Sequence, residues 1–176
     1  MEEILTQRLK IRTFRQNDWK DLYEYLSDEN VIKFEPYEVF DEEQCKQEVL
    51  RRSRDKAFLA VCLRDTGKVI GNLYFSRQDF DTWELGYVFN AVYQNQGYAS
   101  ESAKAVIDKA FKEGKARRII AMCNPENKAS WRLLERLNMR REGHLKKNIF
   151  FKTDSNNNPI WQDTYEYAIL AEEWIS

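Results

Sequence analysis

The segment Gln94-Asn95-Gln96-Gly97-Tyr98-Ala99 lies between a predicted strand and a predicted helix. The first turn of a helix leaves backbone N–H groups without partners and carries a partial positive charge, so it can bind phosphate oxygens. Gly97 has no Cβ and lets a diphosphate approach the backbone, while Ala99 and Ser100 keep the next positions small. Because ordinary strand-to-helix turns are also common, the pattern indicates a phosphate cradle without identifying its ligand.

The charge balance and the motif content argue against several other classes of protein. The 176-residue chain has 28 basic and 29 acidic residues and a net charge of −1, without a long basic run. It has neither the three-glycine dinucleotide fingerprint nor a P-loop lysine motif. Its three cysteines and one histidine lack metal-ligand spacing. We therefore expect no nucleic-acid partner, no disulfide framework and no metal site.

The length of the chain predicts one globular domain over residues 1–176. Glu2 and Glu3 occupy positions where a secretory signal would be basic, and no apolar run reaches the length that crosses a membrane. We expect a cytoplasmic protein without a membrane partner. The sequence is compatible with a monomer or a homodimer.

Hydrophobic periodicity predicts the elements that position this loop. Strand patterns cover residues 8–14, 57–63, 69–76, 83–89, 118–123, 141–151 and 164–170. Helical spacing predicts one helix from Trp19, capped by Asn17 or Asp18, and further helices over 41–52, 99–112 and 129–137. The mixed charges of residues 51–56 are typical of a solvated helix face. This order favours an α+β or mixed α/β three-layer domain over a doubly wound parallel sheet.

Several ordered motifs resemble those of one family. Gln94-x-x-Gly97-x-Ala99 resembles the acetyl-CoA-binding motif of the GNAT superfamily of N-acetyltransferases. Other segments of this chain resemble further motifs of the same superfamily: Thr6-Gln7-Arg8-Leu9, Val69-Ile70-Gly71, Glu84-Leu85-Gly86-Tyr87, Asn124-x-x-Asn127-x-x-Ser130 and Leu134-Glu135-Arg136-Leu137-Asn138-Met139. The resemblance covers nearly the whole chain and is greatest to the RimJ/RimL-like branch.

This resemblance implies a fold and a set of cofactor contacts. The fold is α/β (mixed α+β), a GNAT-like three-layer domain with a central, splayed, mostly antiparallel twisted sheet flanked by helices. Acetyl-CoA would enter the splay, and its pantetheine arm would pair with the exposed strand edge. The implied cofactor-binding residues are Tyr87, Val88, Phe89, Gln94, Asn95, Gln96, Gly97, Tyr98, Ala99, Ser100, Asn124, Asn127, Ser130 and Arg132.

Two residues are candidates for catalysis. Glu84 stands where the superfamily often has a glutamate base facing the cleft, although strand alternation also allows a solvated edge position. Many GNAT enzymes have a tyrosine acid four residues after the position of Ser130, where this chain has Leu134. The Ser130 hydroxyl therefore becomes the candidate that protonates the departing thiolate, unless it only caps a helix.

Three other residues receive weaker assignments. Asn127 is predicted to position the pantetheine or a water, and it can cap a helix at the same time. His144 is expected to be a surface or structural residue because it lies far from the motifs. Cys123 is expected to fill a core position rather than to form an acyl-enzyme.

The resemblance predicts an acetyl-CoA-dependent N-acetyltransferase whose acceptor is a primary amine, with a mild preference for a protein N-terminus. A polyamine, an aminoglycoside or an amino acid remains an alternative acceptor, and a non-catalytic acyl-CoA sensor is an alternative function. The acceptor should be selected by residues 30–40, the second helix and residues 147–162. Glu35 and Glu38 there could attract a cationic amine, and six aromatic residues could line the pocket: Phe34, Tyr37, Phe40, Phe150, Phe151 and Trp161.

Overall fold

An eight-stranded sheet with four α-helices forms the molecule, whose computed structural model describes residues 2–175. The strands are β1 (Ile4–Leu5), β2 (Leu9–Thr13), β3 (Phe58–Leu63), β4 (Val69–Arg77), β5 (Thr82–Phe89), β6 (Arg118–Cys123), β7 (Arg140–Ile149) and β8 (Gln162–Leu170). The helices are α1 (Trp19–Leu26), α2 (Glu42–Arg54), α3 (Tyr98–Lys112) and α4 (Lys128–Arg136). The seven predicted strands and four predicted helices are confirmed, and only the two-residue β1 was not predicted.

The strands follow the order β1-β2-β3-β4-β5-β6-β8-β7 across the sheet. β5 and β6 run parallel, and every other neighbouring pair runs antiparallel. The predicted mostly antiparallel sheet and the predicted hairpin of β3 and β4 are thereby confirmed. A parallel pair needs a crossover, and α3 provides it on the way from β5 to β6.

Apolar side chains form one core on each face of the sheet, because successive strand residues point to opposite sides. Val106 and Ile107 of α3 and Leu134 of α4 pack into one core. Leu22 of α1 and Val49 of α2 pack into the other. The helices thus cover both faces, which gives the three layers that the element order predicted. Among the helices of residues 2–175, none combines the length and apolar character needed to span a bilayer.

The sheet opens between β5 and β6. β5 stays paired with β4 as far as Gly71 and Phe89, but its register with β6 ends at Glu84 and Ile120. The backbone N–H of Asn90 donates to the carbonyl of Ile70 at 3.0 Å. Strand alternation therefore directs the peptide groups of Phe89 and Tyr87 away from β4, toward the gap. This geometry is the predicted splay.

Two local predictions about polar residues were wrong. Asp18 occupies the N-cap position of α1 without capping it, because its carboxylate accepts hydrogen bonds from the Arg12 guanidinium at 2.7 and 2.9 Å. Arg52, within the segment predicted as a solvated helix face, is only 1% exposed. Buried polar partners, which periodicity does not reveal, explain both exceptions.

Candidate active site

Two cavities meet in the gap between β5 and β6. The first, here called the loop cavity, lies against the start of α3. The second, the strand cavity, has a volume of about 420 Å³ and extends along β5 toward α2 and β8. Six residues line both cavities and define the junction: Phe34, Glu35, Tyr87, Val88, Asn127 and Ser130. The two cavities therefore adjoin at these six residues.

The loop before α3 has the backbone that a phosphate cradle requires. Gly97 is the N-cap of α3 with φ +83°, in the left-handed region that favours glycine, and it forms no side-chain cap hydrogen bond. Asn95 is also left-handed, with φ +59°. Because no N-cap side chain shields the first turn, its N–H groups remain available to an anion at the end of the loop cavity.

Arg8 of the segment before β2 braces this loop from outside. Its Nη1 donates to the carbonyl of Gln96 at 3.0 Å, and its Nε donates to Glu101 at 2.7 Å. The guanidinium also lies 4.4 Å from the ring centre of Tyr98. These contacts tie the loop to the sheet and neutralise Glu101, the acidic residue in the first turn of α3. This brace could not be predicted from the sequence, because its two halves lie about ninety residues apart.

The structure brings most of the predicted cofactor residues together. Those that line one or both cavities are Tyr87, Val88, Phe89, Gln94, Asn95, Gly97, Tyr98, Ala99, Ser100, Asn124, Asn127 and Ser130. Gln96 and Arg132 lie outside this lining; the Gln96 side chain donates to Val92 O at 2.9 Å, and the Arg132 guanidinium lies over the Trp131 ring. The side chain of Gln94 donates to the carbonyl of Phe89 at 2.9 Å and so fixes the turn out of β5.

A pair of hydroxyl groups lies at the junction. The Tyr87 hydroxyl donates to the carbonyl of Ser130 at 2.9 Å and lies 3.0 Å from Ser130 Oγ. Burial raises the pKa of the Tyr87 phenol above its usual value, so the phenol stays protonated across the physiological range. Leu134 of α4 has no hydroxyl, but the hydroxyl of Tyr87 on β5 lies beside Ser130 instead. Sequence motifs did not reveal this contact, because β5 and α4 are far apart in the chain.

Glu84 lies on the face of β5 that looks toward α1 and α2. Val88, four residues further along, packs into the α1/α2 core, whereas Leu85 packs into the opposite core. Glu84 lines the strand cavity, and its Oε2 accepts a hydrogen bond from Gln78 Nε2 at 3.2 Å. Burial raises the pKa of its carboxyl above the ordinary value. Glu84 therefore faces a cavity without lining the junction.

Glu35, on the loop between α1 and α2, lies at the junction itself. Burial raises its pKa to about 7, although Tyr37 and the charge of Arg52 act in the opposite direction. The Arg52 guanidinium is held by Glu48 at 2.7 Å and by Asn72 Oδ1 at 2.9 Å. The sequence predicts Glu35 as an attractor of cations, but its position beside Tyr87 and Ser130 could not be predicted because the loop has no hydrophobic periodicity.

The remaining sequence candidates have clear positions. Asn127 is the N-cap of α4, and its Oδ1 accepts from the Ser130 backbone N–H at 3.2 Å, while the residue also lines the junction. Burial raises the pKa of the Cys123 thiol to about 11, so the thiol is protonated and poorly suited to nucleophilic attack. His144 lies on β7, outside both cavities, 2.8 Å from Asp163. Asp163 itself lines the strand cavity.

The predicted acceptor segments contribute unequally to the strand cavity. Phe34, Tyr37 and Phe151 line it, and α2 adds Arg52. Phe40 packs edge-on against Tyr37, and Phe150 packs against Trp161 away from the lining. Half of the six predicted aromatic residues thus face the cavity.

Comparisons with known proteins agree with this geometry. A family model described as an acetyltransferase (GNAT) domain matches residues 8–140. The chain is 47% identical over 173 residues to the uncharacterized N-acetyltransferase YnaD of Bacillus subtilis (strain 168), covering 97% of this chain and 98% of that protein. It is 26% identical over 185 residues to the ribosomal protein uS5-alanine N-acetyltransferase of Escherichia coli (strain K12), covering 97% and 92%.

Among solved structures, an acetyltransferase of the GNAT family from Bacillus anthracis matches the fold with a TM-score of 0.89. The two sequences are 41% identical, and the match covers 98% of this chain and 100% of that one. The predicted fold class is thereby confirmed.

Proposed function

This chain belongs to the GNAT family of acetyltransferases and is an acyltransferase, and from that premise we propose that it moves an acetyl group from acetyl-CoA directly to a primary amine. The proposed preferred acceptor is a protein N-terminus. We further propose that it acts in the cytoplasm as a single domain over residues 1–176. The observation that supports the reaction is that six residues line both the loop cavity and the strand cavity and so form the junction.

The proposed cofactor position follows from the two ends of the loop cavity. The N–H groups at the start of α3 would hold the diphosphate, next to Gly97. The peptide groups of Tyr87 and Phe89, which point into the gap, would hydrogen-bond the amides of the pantetheine arm. An arm in this position would bring its thioester to the junction, beside Ser130.

The proposed chemistry requires a base for the acceptor ammonium and an acid for the leaving thiolate. Ser130, joined to Tyr87 by a 3.0 Å contact, is the proposed acid. A carboxylate of the strand cavity is the proposed base, and Glu84 is the candidate that the sequence indicates. The protonated thiol of Cys123 favours direct transfer over an acyl-enzyme.

The preference for a protein N-terminus is supported by one relative and by the shape of the site. The E. coli relative is named for an alanine of ribosomal protein uS5. The strand cavity extends from the junction toward β8 and the segment before it, reaching Asn148, Phe151 and Gln162. An extended peptide could occupy this direction with its amine at the junction, whereas a small amine would leave it unfilled.

A thiol-release assay tests the reaction. Purified protein receives acetyl-CoA with one acceptor class at a time: peptides with free N-terminal alanine or serine, the same peptides N-terminally blocked, polyamines, aminoglycosides and free amino acids. We expect turnover with free peptides and none with blocked ones. Turnover confined to polyamines or aminoglycosides would establish the small-molecule alternative. Tight acetyl-CoA binding without thiol release from any acceptor would establish the sensor alternative.

A second assay tests the cofactor position. Acetyl-pantetheine carries the thioester and the pantetheine amides but lacks the diphosphate. We expect its affinity to be about one hundred times lower than that of acetyl-CoA, since N–H groups at the start of α3 would lose a charged hydrogen-bond partner. Equal affinities would contradict a diphosphate site beside Gly97.

A further inference from the structure

Carboxylates in the two cavities differ in their distance from the point of transfer. Among the described residues, Glu35, Glu84 and Asp163 are the carboxylates that line the strand cavity, and Glu35 alone of them also lines the loop cavity. The thioester and the amine must meet where the cavities meet, since acyl transfer requires contact between the nucleophile and the carbonyl carbon. Position therefore favours Glu35.

The other two carboxylates are engaged elsewhere. Asp163 accepts hydrogen bonds from the backbone N–H of Lys147 at 2.9 Å and from Lys146 Nζ at 2.9 Å, with His144 2.8 Å away. These donors hold the pKa of Asp163 below its usual range, which makes it a weak base. Glu84 is bound by Gln78 and lines only the strand cavity.

Glu35 is held in place without being neutralised. Its backbone N–H donates to the Ile32 carbonyl at 2.8 Å, which fixes the turn that presents the side chain. The cation whose charge acts on Glu35 is Arg52, which is engaged by Glu48 and Asn72 through contacts shorter than 3.0 Å. Because Glu48 already shares the charge of this cation, burial favours the protonated form of the Glu35 carboxyl.

We propose that Glu35, rather than Glu84, is the base that takes the proton from the acceptor ammonium at the junction. This inference rests on the proposed acetyl transfer and names a residue for one of its steps. Tyr37 on its own loop and Arg52 on α2 act on the Glu35 carboxyl. The other charged or titratable residues that line the two cavities are Glu84 and Tyr87 on β5, Tyr74 on β4, Cys123 on β6, Asp163 on β8, Tyr98 on α3, Arg136 on α4 and Tyr93 before α3. Glu84 then adds negative charge that attracts the ammonium.

The proton and bond changes balance as follows. Glu35 takes one proton from R–NH₃⁺, and the resulting amine nitrogen attacks the thioester carbonyl carbon. The N–C bond forms and the C–S bond breaks, so the electron pair of that bond leaves on sulfur. A second proton from the nitrogen reaches the thiolate through the hydroxyls of Ser130 and Tyr87. Glu35 finally releases its proton to solvent, and the products are the acetamide and the free thiol of CoA.

Glu35→Gln tests this proposal, with Glu84→Gln as its rival and Glu29→Gln as a matched control. Glu29 lies on the same loop between α1 and α2, is exposed to solvent and lines neither cavity. We expect Glu35→Gln to lower kcat/KM by about 10²- to 10⁴-fold with unchanged acetyl-CoA affinity. The wild-type pH–rate profile should bend near pH 7, where Glu35 ionises, and Glu35→Gln should lose that bend. Glu29→Gln should keep both the rate and the bend.

Two results would overturn the inference. One is a Glu35→Gln variant that keeps the bend and more than a tenth of the activity while Glu84→Gln loses both; the acetyl transfer itself would then still stand. The other is a Glu35 carboxyl that titrates below pH 5 in carboxyl ¹³C NMR of the cofactor-free protein, where we expect a titration near pH 7; this measurement needs no turnover. Wild-type protein that acetylates none of the acceptors would contradict the proposed function instead of this inference.

Discussion

Tyr87→Phe removes one oxygen atom from the junction and leaves the ring in place. In the wild type this oxygen donates to the Ser130 carbonyl at 2.9 Å and lies 3.0 Å from Ser130 Oγ. The loss of one neutral hydrogen bond lowers the free energy of unfolding by about 0.5–1.5 kcal/mol. For a chain of this size each kcal/mol corresponds to about 2–4 °C in Tm, so the variant should still fold at assay temperature.

The effect on turnover should be much larger than the effect on stability. A positioned acid contributes about 10²- to 10⁴-fold to a proton transfer. If the two hydroxyls relay one proton to the thiolate, Tyr87→Phe and Ser130→Ala should each lower kcat by about 10²-fold. Because residues that act as a unit are not additive, the double variant should be no slower than the slower single variant.

The assay is thiol release at saturating acetyl-CoA and acceptor, with Tyr93→Phe as a matched control. Tyr93 also lines the loop cavity but packs against Tyr98 rather than meeting Ser130, and its variant should retain kcat within about twofold, like an ordinary surface substitution. Multiplicative losses in the double variant would show that the hydroxyls act independently. Unchanged kcat in both single variants would refute the relay.

Three further predictions follow from the geometry. Gly97→Ala should weaken the binding of acetyl-CoA but not that of acetyl-pantetheine, as titration calorimetry would measure. The same substitution should lower the free energy of unfolding by about 1–2 kcal/mol because φ is +83° at this position, as scanning calorimetry would measure. Arg52→Met should lower stability by about 1–3 kcal/mol, because it removes a buried donor from Glu48 and from Asn72. Arg51→Met, which removes the other partner of Glu48, should cost less than about 1 kcal/mol because the Arg51 side chain is 51% exposed; similar losses in urea denaturation would contradict this difference. Burial raises the pKa of Glu35 in the folded state, so its contribution to stability is present at low pH and is lost as pH rises toward 7; Glu35→Gln should therefore be more stable than wild type at pH 8 but not at pH 4.

The geometry of the proposed cofactor half of the site could be predicted from the sequence because its signals are local. Gly97 precedes a strongly periodic helix, and its left-handed φ is a conformation that favours glycine. Asn127 and Ser130 lie three residues apart, as an N-cap requires, and the structure contains that bond. In each case the chemistry follows from residues within one turn of backbone.

The proposed acceptor half could be predicted only as a set of segments, and the positions of its polar residues could not, because their contacts join distant parts of the chain. Glu35 lies on a loop without hydrophobic period, and it reaches the junction only because residues 30–40 fold over the gap. The Tyr87–Ser130 contact joins β5 to α4, 43 residues apart. Arg52 lies within a charged run that is typical of solvent-facing helices, and its burial depends on Asn72 in another element.

The charges of the strand cavity bear on the number of positive charges that an acceptor can carry. The guanidinium of Arg52 is offset by Glu48, and Asp163 is offset by Lys146. Among the described residues that line this cavity, Glu35 and Glu84 are the carboxylates that form no ion pair, and they lie at and next to the junction. A polyamine or an aminoglycoside would extend further positive charges beyond these two carboxylates, toward Arg52 and Lys146. A peptide places one ammonium at its end and neutral amides behind it, so its charge distribution matches the cavity better.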